Sequence, residues 1–589
     1  MRTLSSVLLL IVFIFFSSNG HTYETISVSE IKPGMKGYGL TVFQGTEPER
    51  FEVEVISIVP NFLLKQDVIL IRCKHPVTDN AGVIGGMSGS PIFIEGRLAG
   101  ALAYGWQFNK EPMAGVTPIA NMLAVLKRKP RSDTNFLRRR PMLLGNTAQA
   151  KTPAPPKDSF FSRFSTNTEG IVPARTPLSL GGFSQSAQKL LGGVLETFGF
   201  EPMMGGGTAS EPHGPSTFQN GSAIGVQLIR GDMSATAIGT VTLVDGKNVL
   251  AFGHPMFNLG EGYFPVTTAE IHTVIASLAR SNKLGSPLRT VGSLVQDRTA
   301  CIAARTDKTA ETVPVNIVVS DPRAGRTDRY RAEVISHRLL TPRFMQTVLA
   351  NVIDDAASDV ADVTAEMSGT VKLSGRPPIT VQDSGASRLG AAGIAPYFRP
   401  VVLVGAVMDN PFEEIAVESV DLKINLRYGL EAALVTGAYI TAENPHPGDT
   451  VNVYVRLMKY GDKEQLITVP VTVPLHAAGK TLDVEVGGGE FIQPVMPEPR
   501  NLDDALANVK RLYPPKSLVV KLDTEDPGVT MEGRVLDRLP PSVVNTLRPS
   551  TGFDRFNQYK TELVRVTETP YLIEGRQSFK FTVADRRPE

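Results

Sequence analysis

The stretch GGMSGSP at residues 85–91, followed by IFIEGRLAGA at residues 92–101, guides the interpretation of the chain. Ser88 lies inside a run of glycines, and the two short apolar runs that follow are separated by a Glu-Gly pair. This pattern predicts a tight loop that leads into a β-hairpin. Glycines let such a loop bend sharply and bring backbone N–H groups close to a substrate carbonyl. We therefore expect Ser88 as a nucleophile, with the N–H groups of Gly86 and Ser88 as oxyanion donors.

A plain turn is the alternative interpretation of this loop. Gly/Ser-rich turns precede many hairpins that have no catalytic role, so the motif alone does not decide between the two. A catalytic serine also needs a general base, which must come from another part of the chain.

Composition limits the classes of function that the chain can have. It has 589 residues, too many for one hydrophobic core, so three or four domains are expected. With 42% hydrophobic and 20% charged residues, it has the composition of a soluble globular protein. A net charge of +1 and a single tryptophan argue against a dedicated nucleic-acid binder.

The first twenty residues predict export. Arg2 precedes the apolar run at 7–16, and small residues at 18–20 suit a cleavage site. An uncleaved amino-terminal anchor is the alternative, and either way we expect a periplasmic or extracellular protein.

The two cysteines and the histidines give no metal signature. Cys73 and Cys301 could pair or could be buried free thiols, which spacing alone does not decide. No Cys/His cluster has zinc-ligand spacing, so we expect neither a structural metal nor a cofactor.

A second block carries the candidate base, His254. Two predicted strands joined at Asp245-Gly246 form a hairpin that leads into Gly253-His254-Pro255. A histidine at the end of a rigid strand is well placed to act as a general base. A histidine packed in the core is the alternative.

Periodicity predicts a mainly β protein with a few helices. The predicted strands of the two blocks are 38–43, 51–59, 68–72, 223–229, 235–244 and 248–252. The predicted helices are 117–128, 184–198, 268–280, 342–355 and 502–512. Strands at 439–441, 451–457 and 465–473 predict a small β-sandwich.

These patterns divide the chain into seven segments. We predict a signal peptide at 1–20, a serine block at 21–128, a linker and helical insert at 129–218, a histidine block at 219–330, a mixed α/β segment at 331–425, a β-sandwich-like module at 426–495 and a C-terminal α/β module at 496–589. The strongly basic segment 127–140 is either a solvated linker or a contact with an anionic envelope surface.

Residues 37–126 resemble the SpoIVB peptidase family, serine peptidase family 55. The resemblance lies in FEVEVI at 51–56, the 82–91 loop with GMSGSP intact, the GRLAGA hairpin and GVTPI at 115–119. A second block, from IGTVT at 238–242 to AFGH at 251–254, resembles the family's histidine hairpin.

The resemblance implies a trypsin-like double β-barrel with a serine nucleophile and a histidine base. It places Ser88 at the nucleophile and His254 at the base, whereas Ser90 corresponds to a later position of the motif. The serine block precedes the histidine block here, the reverse of the family's order, and no PDZ-like segment is present. The family's acid lies in an Asp-Pro pair, where this chain has His75-Pro76.

The acid of the triad is therefore open among three carboxylates: Asp79, the nearest on that side, and Asp232 or Asp245 beside the histidine strands. We expect an exported serine endopeptidase that cleaves protein or peptide substrates in the cell envelope. A non-catalytic envelope binding or scaffold protein on the same fold is the alternative.

Overall fold

A computed structural model describes residues 24–106, 109–128, 172–205, 214–357, 362–388, 399–548 and 556–585. Strands account for 52% of the structure and helices for 15%, which confirms the prediction of a mainly β protein. The predicted signal peptide and residues 129–140 of the basic segment lie outside the described residues.

The serine block folds into a six-stranded barrel. Strand β4 pairs with both β1 and β5, which closes the order β4-β1-β2-β3-β6-β5, and β7 pairs with β5 outside the barrel. These strands are β1 (Lys36–Thr41), β2 (Glu49–Leu63), β3 (Gln66–Lys74), β4 (Pro91–Ile94), β5 (Arg97–Gly105), β6 (Met113–Pro118) and β7 (Val172–Pro173). Two helices accompany them, α1 (Pro76–Ala81) and α2 (Ile119–Leu126).

The histidine block forms a second barrel inside a larger sheet. The strands of this sheet are β8 (Thr176–Gly181), β9 (Phe200–Met204), β10 (Ala223–Gly231), β11 (Ser234–Asp245), β12 (Asn248–Ala251), β13 (Gly260–Glu261), β14 (Pro265–Ile275), β15 (Asn282–Arg298), β16 (Cys301–Arg305), β17 (Thr312–Asp321), β18 (Arg326–Ile335), β19 (Val363–Leu373), β20 (Ile379–Ser387) and β21 (Val417–Tyr428). The order β10-β14-β15-β16-β12-β11 closes because β11 also pairs with β10. The predicted double barrel, built from two sequence blocks, is therefore present.

The second sheet continues well beyond its barrel. Strands β17 to β21 extend it to residue 428, across the predicted segment boundary at 330–331. Three helices accompany it: α3 (Gln185–Leu195), α4 (Thr341–Ala356) and α5 (Arg399–Met408). Apolar residues of α4, among them Phe344 and Val348, share a core cluster with Val315 of β17.

The predicted helix at 268–280 is wrong. Residues Pro265–Ile275 form strand β14, which pairs with β10 and β15. Its β-branched residues suit an extended backbone better than a helix. His272 lies on this strand, and its Nε2 bonds Ser286 Oγ on β15 at 2.8 Å.

The carboxy-terminal strands form a β-sandwich larger than the predicted module. One sheet contains β22 (Ala432–Ile440), β23 (Thr450–Lys459), β24 (Glu464–Thr472) and β29 (Leu572–Glu574). The facing sheet contains β25 (Thr481–Gly488), β26 (Ser517–Met531), β27 (Arg534–Leu536), β28 (Phe556–Glu568) and β30 (Arg576–Thr582). Valines of both sheets share one core cluster, and helices α6 (Leu502–Arg511) and α7 (Pro541–Leu547) lie between the strands in sequence.

The two barrels share a hydrophobic contact. Phe93 and Leu98 of the first barrel and Met122 of α2 cluster with Leu243 and Leu250 of the second. Cys73 and Cys301 are buried free thiols, and burial raises the pKa of Cys73 to about 12. Among the described residues, no helix combines the length and the apolarity that crossing a bilayer requires.

Close packing between the barrels predicts the effect of adding one methyl group. A Cβ at Gly89, where φ is +98°, would lie 1.9 Å from Thr240 O. We expect Gly89→Ala to destabilise the protein by about 2–4 kcal/mol, because overpacking and the positive φ act together. The measurement is thermal unfolding.

The matched control is Gly193→Ala. Gly193 lies in the exposed part of α3, and nothing lies within 4 Å of its Cβ position. This variant is expected to gain about 0.5–1 kcal/mol, because alanine loses less backbone entropy in a helix. Equal melting temperatures for both variants would contradict the packing described here.

Candidate active site

The serine loop lies between α1 and β4 and presses against the second barrel. Gly86 and Gly89 have φ values of +93° and +98°, in the region that favours glycine. A Cβ at Gly89 would also lie 2.5 Å from Phe252 N, so no larger residue fits there. Ser88 between these glycines is fully buried.

Three hydrogen bonds from two threonines of β11 hold this loop. Thr240 N–H donates to Ser88 O at 2.9 Å, and Thr240 Oγ1 donates to Gly86 O at 2.8 Å. Thr242 Oγ1 donates to Gly89 O at 2.7 Å. We call these three bonds the threonine clamp; they fix the serine loop directly on β11, the strand that precedes the β12 strand and His254.

The histidine follows β12 on an unusual backbone. Phe252 and Gly253 both have positive φ, +69° and +67°, and Phe252 is a bulky residue for which this is uncommon. Thr117 Oγ1 of the first barrel donates to Gly253 O at 2.7 Å and stabilises this conformation. Strained residues of this kind cluster at functional sites. The result is a fixed, 2% exposed His254 at the contact between the barrels.

The tautomer of His254 follows from its one hydrogen bond. Its Nδ1 lies 2.8 Å from Pro255 O, and because a carbonyl only accepts, Nδ1 carries the proton. Nε2 then holds a free lone pair, as a general base requires. Burial lowers the pKa of His254 to about 4, against a smaller opposing effect of the bond to Pro255. The ring is therefore neutral at pH 7.

Polar groups at the site lack partners among the described residues. Ser88 Oγ and His254 Nε2 are both buried and make no hydrogen bond, to each other or to any other described group. Catalytic hydrogen bonds are often long without substrate and shorten when it binds. Buried polar groups are otherwise nearly always paired, so these two atoms mark a functional site.

The backbone around Ser88 shows the same pattern. The N–H groups of Gly85, Met87, Gly89 and Ser90 donate to Ser281 O, Ile84 O, Leu102 O and Met87 O. The two intervening N–H groups, of Gly86 and Ser88, have no acceptor within the described parts of the chain. These are the two N–H groups that the sequence predicts as the oxyanion hole.

Ser90 differs from Ser88 in its environment. Ser90 Oγ donates to Met87 O at 2.7 Å, so its hydroxyl is used within the loop. This bond also restrains the Met87–Ser88 peptide, whose N–H points away from Met87 O. Ser90 has a structural role here, and Ser88 has the free hydroxyl.

None of the three candidate acids hydrogen-bonds His254. Asp79 is exposed on α1, the Asp232 carboxylate accepts Arg331 N–H at 2.6 Å, and exposed Asp245 lies at the β11–β12 turn. His75 caps α1, with Nδ1 accepting Val77 N–H at 3.2 Å. The carboxylate assignment stays a prediction, while Pro255 O occupies the Nδ1 side of the ring.

Asp297 is a buried carboxylate near the histidine that the sequence did not indicate. It accepts the N–H groups of Met256 at 2.8 Å, Phe257 at 2.7 Å and Leu259 at 3.3 Å. Burial raises the pKa of Asp297, and these bonds oppose that effect. Asp297 thus holds the turn that follows His254-Pro255, and only the folded loop reveals its partners.

Lys283 is the second residue that sequence reasoning missed. It is 1% exposed, its methylenes lie 3.0–3.2 Å from the Cβ position of Gly86, and its Nζ donates to Thr41 Oγ1 at 2.6 Å. Its backbone N–H donates to Gly85 O at 2.9 Å, which orients the Gly85–Gly86 peptide. Burial lowers the pKa of Lys283 to about 7, with Glu49 opposing it. Lys283 therefore packs against the serine loop at Gly86 and fixes the orientation of its Gly85–Gly86 peptide.

The comparisons with known proteins give one family match. The family model of SpoIVB peptidase S55 matches residues 16–123. The matched segment contains Ser88 and its whole barrel but not His254, and it confirms the resemblance over the serine block. No curated protein and no solved structure matches the chain. Within the described residues, no group of three or more His, Cys, Asp or Glu side chains is placed to hold a metal ion.

The buried ammonium of Lys283 predicts a specific dependence of stability on pH. Its pKa is about 7 in the folded protein and near 10.5 when unfolded, so the unfolded chain binds more protons between these values. Below about pH 7 the folded state bears the full free-energy cost of burying the charged ammonium, and this cost disappears toward pH 10.5. The free energy of unfolding therefore rises with pH across this window.

Lys283→Met removes this contribution and keeps the methylene packing. Relative to the wild type, we expect the variant to be more stable at pH 6 and to lose that advantage by pH 10, as urea unfolding followed by Trp106 fluorescence will measure. A stability difference that does not change between these pH values would contradict the buried charge.

Proposed function

We propose that the protein is a serine endopeptidase of SpoIVB type that cleaves protein substrates. The family match supports a serine peptidase in general. The observation that carries the proposal is the site itself: a buried serine hydroxyl, a buried histidine Nε2 and the two N–H groups of Gly86 and Ser88, all without a hydrogen-bond partner in the part of the chain that the structure describes.

In this mechanism Ser88 Oγ attacks the substrate carbonyl and His254 Nε2 accepts its proton. The developing oxyanion accepts hydrogen bonds from the N–H groups of Gly86 and Ser88. His254 then gives the proton to the leaving amine, which leaves an acyl group on Ser88. A water molecule hydrolyses this ester by the same steps, with His254 again taking the proton.

The bond from His254 Nδ1 to Pro255 O takes over one task of a triad acid, because it fixes the tautomer. A carbonyl carries no full charge, so it stabilises the imidazolium less than a carboxylate does. We therefore propose that the protein is exported and cleaves protein substrates in the cell envelope. Its Ser–His dyad should give a modest rate of cleavage.

A non-catalytic scaffold is the second candidate. It is favoured by the missing hydrogen bond between Ser88 Oγ and His254 Nε2 and by the lack of a carboxylate on His254 among the described residues. Labelling with a serine-directed probe separates the two candidates.

A fluorophosphonate probe tests the nucleophile. We expect labelling of the wild type, complete loss in Ser88→Ala, and a loss of at least about tenfold in rate in His254→Ala, because base catalysis contributes about 10²–10⁴-fold. Ser90→Ala is the matched control and should still be labelled, since its hydroxyl only supports the loop. Labelling that follows Ser90, or a folded wild type without labelling, would contradict the proposal.

The pH dependence of labelling tests the base. Burial lowers the pKa of His254 to about 4. Above this pH the ring is neutral and can act as a base, and below it the ring is protonated and cannot. We expect the labelling rate to fall with a midpoint near pH 4, well below the 6.5 of an ordinary histidine. A midpoint near 6.5 would show that His254 is not the buried base described here.

A further inference from the structure

A cavity of about 190 Å³ opens beside the serine loop. Its walls include the loop at 82–85, the end of β5 at Gly105 with Trp106, and residues 279–282 before β15. Gly85 N–H donates to Ser281 O at 2.8 Å, which joins two of these walls. Ser88 follows Gly85 by three residues, so their Cα atoms are at most about 11 Å apart.

The cavity is next to one of the two oxyanion donors. Gly85 lines it, and the following N–H, of Gly86, is free. A substrate carbonyl held by that N–H belongs to a residue whose own side chain is close to Gly85. A side chain at position 85 would collide with Asn282 Oδ1 at 2.1 Å from its Cβ, so the wall is bare backbone there. The cavity is thus placed to receive a substrate side chain.

The charged side chains that line this cavity are predominantly basic. They are Lys110, Arg175 and Arg280 against Asp79 and Glu201. Neither arginine forms an ion pair with any described residue. Burial, and then repulsion from Arg280, lowers the pKa of Arg175. Both arginines line the same cavity, so a single ligand in it is within the influence of both positive charges.

The two carboxylates do not neutralise this pair. Glu201 and Glu196 each attract Arg175 less strongly than Arg280 repels it, and Glu201 Oε2 is buried without a hydrogen-bond partner in the described chain. Asp79 is exposed at the rim. Two neighbouring guanidinium groups with unused donors are a setting that a carboxylate fills, since arginine binds carboxylates with paired N–H donors.

We propose that this cavity binds a carboxylate side chain of the substrate, held by Arg175 and Arg280, so that the peptidase prefers cleavage after an acidic residue. The proposal rests on the proposed function for the cleavage step, but the carboxylate site itself is testable without catalysis. Both arginines lie outside residues 16–123, the segment that matches the family model.

Trp106 gives a direct readout of this cavity. It is the chain's single tryptophan, and it lines the cavity. The experiment uses the full chain with Ser88→Ala, which prevents turnover, and titrates two peptides blocked at both ends, acetyl-Ala-Ala-Ala-Glu-amide and its Gln counterpart. These probes differ only in charge.

We expect the Glu peptide to change Trp106 fluorescence and to bind at least about tenfold more tightly than the Gln peptide, as a charge-assisted bond implies. Arg175→Gln and Arg280→Gln should each remove this difference, and Arg280→Lys should keep part of it. Glu201→Gln should tighten Glu-peptide binding, because a competing carboxylate is removed. Arg305→Gln is the matched control, since Arg305 pairs with Asp307 and does not line the cavity.

Equal binding of the Glu and Gln peptides, or no binding of either, overturns the proposal. So does a Glu preference that survives in Arg175→Gln and Arg280→Gln proteins that melt like the control. Failure of the proposed function is seen separately: a protein that selects the Glu peptide but resists fluorophosphonate labelling has the carboxylate site without the peptidase. A labelled protein without Glu preference is a peptidase of another specificity.

Discussion

The threonine clamp is the constraint on which the site depends. A nucleophile from one barrel and a base from another can act together only if the two barrels are held in a fixed relative position. Three hydrogen bonds from Thr240 and Thr242 to the carbonyls of Gly86, Ser88 and Gly89 do this directly at the proposed nucleophile. Because both threonines are fully buried, water does not compete for these bonds. The serine loop is therefore part of the second barrel's surface as much as of the first.

The chemistry of the site follows from burial more than from charge. Burial keeps His254 neutral, and the carbonyl of Pro255 selects the tautomer that leaves Nε2 available. Lys283 and Ser90 donate to the carbonyls of Gly85 and Met87, which belong to the two peptides whose N–H groups form the proposed oxyanion hole. Such bonds fix the peptide planes in advance, and preorganised donors contribute most to stabilising an oxyanion.

Sequence patterns predicted the parts of this structure that are local. Neighbouring residues determine the conformation of the glycine loop, the alternating strand FEVEVIS and the Asp-Gly hairpin. The sequence alone therefore indicated Ser88 and His254 as candidate site residues. Lys283 and Asp297 could not be indicated in this way, because their partners lie far away in the chain: Thr41 and Gly85 for Lys283, and the turn after His254 for Asp297. The helix predicted at 268–280 was wrong for a related reason: pairing with two neighbouring strands decides that segment.

The most direct test of the account is a crystal structure of the protein after reaction with a fluorophosphonate. The account predicts a covalent bond from phosphorus to Ser88 Oγ. It also predicts one phosphoryl oxygen about 2.7–3.1 Å from the N–H groups of Gly86 and Ser88, and His254 Nε2 turned toward Oγ. An adduct on another residue, or a phosphoryl oxygen directed away from both N–H groups, would contradict the claim that two barrels assemble one catalytic site.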